Sequence, residues 1–127
     1  MRFLSLLVVV IVGGAAFLLL GGLSQPVHFA SDVQPVLVQN CAVCHRPGGE
    51  GFLRKNLDLR SYDSIMRGGS DGPVVIAGDP DPSLMLKVAE GRADSKLQSV
   101  HAVVLRGLSA DDREKLRNWV KSGAKND

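Results

Sequence analysis

The sequence predicts an all-α chain, a small helical domain preceded by a single transmembrane helix. Three observations predict it. The first is an uncharged apolar block, Phe3 to Leu23, in which Ser5 is the one weakly polar side chain. The second is a series of cap and stop signals that divides the remaining chain into short helical segments, with no sustained period-two alternation and no internal repeat. The third is a shortage of large side chains. Aromatic residues make up 5% of the 127 residues, against 45% hydrophobic and 22% charged. A small domain with long loops and few aromatics needs an organising ligand to complete its interior.

The elements follow in order. Twenty-one helical residues rise about 32 Å, and a bilayer's hydrocarbon core is about 30 Å thick. Residues 1–23 therefore read as an uncleaved membrane anchor, longer than the apolar region of a secretory signal. Arg2 is the one charge before the apolar block. It favours a cytoplasmic N-terminus and places the rest of the chain across the cytoplasmic (inner) membrane, on the periplasmic side. Residues 24–30 read as a linker and residues 31–127 as the folded domain. Ser31, with Gln34 three residues on, forms a capping box that predicts a first helix starting at Ser31 or Asp32. The run after His45, Arg-Pro-Gly-Gly-Glu-Gly, reads as loop. Leu57 and Leu59 alternate with charges and read as extended. Ser61 caps a short helix over Tyr62–Arg67 that Gly68-Gly69 stops. Asp81 caps a further helix with Pro82 at its first position and Gly91 beyond its end. Residues 92–107 read as a loop with one turn. Ser109 with Asp112 opens the last helix, whose apolar stripe is Leu116, Trp119 and Val120 and whose end lies near Ser122-Gly123. Four or five short helices are expected in all.

Charge excludes one class of partner. The 15 Lys+Arg and 13 Asp+Glu leave a net charge of +2. That field is too weak for nucleic-acid binding. Arg46, Arg54, Lys55, Arg60 and Arg67 form a local basic run. It reads as solvated loop surface, with Arg46, Arg54 and Arg60 as candidates to meet an anionic group.

Chemistry is concentrated in Cys41-Ala42-Val43-Cys44-His45, a C-x-x-C-H motif. This is the attachment signature of c-type haem. Two cysteines three residues apart reach the two vinyl groups on one edge of the porphyrin as thioethers, and the next residue places an imidazole under the iron. A zinc site would need two further ligands, from His28 and His101, and would leave His45 unexplained. A redox dithiol would open a helix after a strand, and no strand pattern precedes it. The export topology agrees with haem attachment outside the cytoplasm.

Beyond the motif, the order Asp32-Val-Gln-Pro-Val-Leu37, Cys41-x-x-Cys-His45, Leu57-Asp-Leu59, Gly68-Gly69, Gly78-Asp-Pro80, Ser83-Leu84, Leu108-Ser109 and Trp119-Val-x-x-Gly-Ala124 resembles the planctomycete-type cytochrome c domain. The likeness runs from about residue 31 to 124. It implies a cytochrome c-like helical fold around one covalent haem c on Cys41 and Cys44, with His45 as proximal iron ligand. One departure stands out. The family commonly places a Met-Pro before the final Leu-Ser. This chain has Ser99-Val-His101-Ala-Val-Val-Leu-Arg-Gly-Leu108 there. His101 therefore becomes the expected distal ligand. Met85 is the fallback, Met66 and His28 are weaker candidates, and an open position is the remaining option. Phe29, Phe52 and Tyr62 read as core side chains that could also pack on the porphyrin edge.

The expected function is single-electron transfer without bond chemistry, not enzymatic catalysis. The expected partners are redox proteins, with the chain tethered to, or a subunit of, a respiratory or photosynthetic membrane complex. The alternative is a haem-based sensor or peroxidase-like protein with an open or labile distal site.

Overall fold

The computed structural model describes residues 25–127. Among them, no helix is long and apolar enough to cross a membrane. The expected anchor, residues 1–23, lies outside the described residues. A π-helical turn, Phe29–Val33, runs directly into α1 (Gln34–Asn40). The chain continues through α2 (Glu50–Lys55), α3 (Tyr62–Arg67), α4 (Leu84–Ala89), α5 (Ser95–Val100), α6 (Ala102–Gly107) and α7 (Ala110–Lys121). Extended pairing among the described residues is confined to one bridge between Gly69 and Gly72. The all-α expectation holds, with more and shorter helices than the four or five expected.

The helix signals at α3 and α7 act as read. Ser61 and Ser64 cap each other's backbone at α3, and Gly68 ends it at φ 76°. Ser109 and Asp112 form the capping box of α7, and Ser122 closes it. Other starts differ. The first helical turn begins at Phe29, before the expected Ser31. Its early amides find acceptors at both ends of the domain: the Asp32 carboxylate accepts the His28 N–H, and the Asp127 carboxylate accepts the Phe29 N–H. Asp81 does not cap α4, because its carboxylate takes the Arg117 guanidinium. Ser83 precedes α4 instead, fully buried, its hydroxyl accepting the Ile76 N–H and donating to the Asp79 carbonyl. The stretch expected as loop after His45 forms α2 from Glu50. The stretch from residue 92 folds as two helices, α5 capped by Asp94 and α6 starting just after His101.

The core sits between α7 and the π-helical turn. Trp119, Leu116 and Val120 are fully buried against Phe29, Val33, Leu37, Ile65 and Leu86. The Phe29 ring lies 5.4 Å from both the Trp119 and Tyr62 rings, edge-on to the tyrosine. Such pairs add to area burial, and the polar ends of buried Trp and Tyr need partners. Trp119 Nε1–H donates to the Lys125 carbonyl and the Tyr62 hydroxyl to the Ala124 carbonyl. Phe29 and Tyr62 are thus core residues of this aromatic cluster.

Candidate functional site

The C-x-x-C-H motif is wound onto the end of α1. The amides of Cys41 and Ala42 both donate to the Leu37 carbonyl, and those of Cys44 and His45 to the Cys41 carbonyl. Two later segments then fix this turn. The Phe52 amide bonds the Cys44 carbonyl at 3.0 Å, and the Leu59 amide bonds the His45 carbonyl at 2.9 Å. Both cysteines are free, Cys44 exposed and Cys41 largely covered. Burial first, and the neighbouring Cys44 second, push the Cys41 thiol up to about 11. A reactive dithiol works the other way, through a lowered thiol pKa. Among the described residues no three His, Cys, Asp or Glu side chains gather as a metal-holding group. Neither the dithiol nor the zinc alternative gains support.

His45 is held by backbone. A Cβ built on Gly51 would lie 2.7 to 2.9 Å from three atoms of the His45 ring, so the α2 backbone rests on the face of the imidazole. A Cβ on Gly49 would collide with the Cys44 carbonyl. Nδ1 of His45 is buried and has no hydrogen-bond partner. Burial, and then the nearby His101, lower its pKa, while the Leu57 backbone opposes the shift. The ring is therefore neutral near neutral pH, as a metal ligand must be.

His101 stands at the junction of α5 and α6. Its Nδ1 lies 2.8 Å from the Leu97 carbonyl oxygen. A carbonyl only accepts, so Nδ1 carries the hydrogen, and in the neutral ring the lone pair is then on Nε2. Fixing the tautomer through the second nitrogen is how ligand histidines are prepared.

The structure brings His45 and His101 together. Their ring planes are parallel within 1° and their centroids are 6.0 Å apart. Two imidazoles bound from opposite sides to one metal, with bonds of about 2.0–2.1 Å, place their centroids about 6 Å apart. The fixed tautomer of His101 and the parallel rings 6.0 Å apart fit an iron held between the two imidazoles. Met85 is buried on α4 as part of the apolar core, and Met66 packs against that core. His28 is exposed and bonds Asp127 through Nδ1.

Apolar side chains surround these positions. Val43, between the two cysteines, Leu53 on α2, and Val100 and Val103 on either side of His101 are strongly exposed. Val38, Ala42, Val43, Arg46 and Arg60 line a groove of about 220 Å³ beside the motif. Arg54, Lys55 and Arg60 are paired with Glu50, Asp71 and Asp58. Arg46 and Arg67 have no carboxylate at ion-pair distance among the described residues, and of these two it is Arg46 that lines the groove beside the motif.

Residues 41–97 match the family model described as Planctomycete cytochrome C. The match supports a planctomycete-type cytochrome c domain. No curated protein and no solved structure matches it. A cytochrome c domain is a haem-based electron carrier and not, in general, an enzyme, and it implies haem c as cofactor. When bound, that group supplies a one-electron iron couple, while the protein sets its ligands and surroundings. The match opens on the first cysteine of the motif and stops short of His101. The distal half of this cytochrome c domain is therefore described by geometry alone. Two features escaped the sequence reading: Gly51, whose place in Gly48-Gly49-x-Gly51 hints at close backbone approach, and the Leu97 carbonyl, which no side-chain pattern reveals.

Proposed function

We propose that this chain is a membrane-anchored monohaem c-type cytochrome that passes single electrons, with His45 and His101 as the two axial ligands of one haem c. Cys41 and Cys44 hold the porphyrin edge as thioethers, His45 binds from the proximal side, and His101 presents Nε2 from the distal side. The observation that carries this reading is the pair of parallel imidazoles 6.0 Å apart. Two imidazoles favour oxidised iron more than an imidazole–thioether pair does, so the carrier works at a lower potential than a His/Met cytochrome. With both axial positions filled by the chain, electron transfer is favoured over sensing or peroxidase chemistry, which need an open or labile distal site.

The uncharged block Phe3–Leu23 supports a single-pass anchor in the cytoplasmic membrane, and Arg2 supports a periplasmic haem domain. Phe29 already belongs to the buried core. The tether from the anchor to the core is therefore about five residues, with a reach of roughly 18 Å at most. So short a tether suits a fixed neighbour, a redox subunit of a respiratory or photosynthetic membrane complex, better than a diffusing shuttle.

The ferric and ferrous absorption spectra of the holoprotein test the ligand pair. His101→Ala is expected to lose the six-coordinate low-spin signature and to bind carbon monoxide readily. Met85→Ala is expected to keep that signature. A thioether-to-iron charge-transfer band in the parent protein, or loss of low-spin character in Met85→Ala alone, would refute it. Rapid carbon monoxide binding by the parent protein would favour the sensor reading.

A further inference from the structure

Neither α5 nor α6, the two helices that meet at His101, contains a fully buried residue. Val104 on α6 packs, half-buried, against the core, and two polar contacts add to this attachment. One is the Gln98 amide, whose Nε2 donates to the Lys87 carbonyl on α4 at 3.2 Å. The other is Arg113, on α7. Its Nε donates to the Ala89 carbonyl at 2.8 Å, and its Nη2 to the Leu105 carbonyl at 2.6 Å. The last carbonyls of a helix have no partner within the helix, and the C-terminal end of the helix dipole favours a cation. One guanidinium thus joins the ends of α4 and α6 to α7. Unlike Arg117 one turn further on, which pairs with Asp81 and Glu90, Arg113 has no carboxylate partner among the described residues. Both of its bonds go to backbone.

From Leu105 the connection continues to the imidazole. The Leu105 amide donates to the His101 carbonyl at 3.1 Å. The His101 Nδ1–H donates to the Leu97 carbonyl at 2.8 Å. The guanidinium, Leu105, His101 and Leu97 form one hydrogen-bonded path from α7 to the distal ring. The structure assigns Arg113 as the positioning residue of the distal histidine: its fork on Ala89 and Leu105 holds α6 where His101 stands parallel to His45. The assignment rests on the reading that these two histidines share one haem iron. It adds a residue outside the stretch that the family match covers.

The test uses the haem-loaded protein and reads the ferric spectrum, the rate of carbon monoxide combination with the ferrous form, and the thermal midpoint. His101→Ala defines the signature of a lost distal ligand. A hydrogen bond from a charged group is lost in Arg113→Gln, which is expected to speed carbon monoxide combination about tenfold or more and to raise the high-spin fraction. Added imidazole is expected to restore its low-spin spectrum. Arg113→Lys keeps a charge but lacks the fork and is expected to fall between the two. Arg117→Gln is expected to melt earlier with spectrum and carbon monoxide rate unchanged. The assignment is overturned if Arg113→Gln melts earlier but keeps the parent spectrum and rate, or if Arg117→Gln moves the rate equally. Should Arg113→Gln not fold, Arg113→Lys decides: a faster rate supports the assignment and the parent rate overturns it. If His101→Ala leaves the spectrum unchanged, the shared-iron reading fails first and the assignment falls with it.

Discussion

His45 takes its direction from a residue with no side chain. Gly51 lies in the first turn of α2, a setting where replacing glycine by alanine ordinarily gains up to about 1 kcal/mol. Here the added methyl would meet the His45 ring at 2.7 to 2.9 Å, and overpacking of this kind costs about 1–3 kcal/mol. The contact outweighs the propensity. Gly51→Ala is expected to destabilise the domain by about 1–2 kcal/mol, seen as a lower denaturant midpoint, and to perturb the ferric spectrum by tilting the imidazole. A gain in stability with an unaltered spectrum would show that the ring gives way freely. At this scale much of the candidate site was legible. Cys41, Cys44 and His45 are adjacent in sequence, so their spacing carries their chemistry. His101 was singled out by its place before Leu108-Ser109, and the structure sets its ring parallel to that of His45. Gly51 was not, because a glycine among glycines reads as a turn and gives no sign of what its backbone touches.

The first helical element shows why boundaries are harder to read than sites. Its expected cap, Ser31, instead donates to Asp32. The acceptor for the Phe29 amide comes from Asp127, at the far end of the chain. No local pattern reveals a cap 98 residues away. The bond leaves a titration signature. The Phe29 amide first, with His28 adding to it, holds the Asp127 carboxyl below the usual carboxylate range, and the His28 amide does the same for Asp32. A carboxyl whose folded pKa is depressed stabilises the fold above its unfolded value, and the effect is lost as pH falls through the folded value. The Phe29 amide is therefore expected to hold constant exchange protection at pH 5 and above and to lose it progressively below about pH 4. Asp127→Asn is expected to flatten that acid step in amide exchange, and an unchanged step would place its origin elsewhere. Both carboxylates are solvent-exposed, so added salt weakens the effect. The α5–α6 pair escaped notice for a related reason. Asp94 is a legible cap, but each helix is only six residues long, too short to repeat the apolar stripe by which helices are recognised in sequence.

At the scale of the whole molecule, the shortage of aromatics has two answers. The sequence suggested that a porphyrin would supply the missing bulk. The structure also shows that Phe29, Tyr62 and Trp119 are gathered at one place, between α7 and the π-helical turn. The α7 stripe was legible from Leu116, Trp119 and Val120. Its partner Phe29 was not, since contacts across 90 residues leave no local period. Trp119→Ala removes the largest fully buried side chain and is expected to cost about 3–5 kcal/mol, a large share of a typical domain's 5–15 kcal/mol. Urea unfolding of the described domain measures it. A loss below about 1 kcal/mol would show that the cluster is not the structural centre.

The clasp between Asp127 and the His28–Phe29 segment also has a geometric meaning. It brings the two ends of the described chain side by side. Whatever continues beyond either end leaves the domain from one common point.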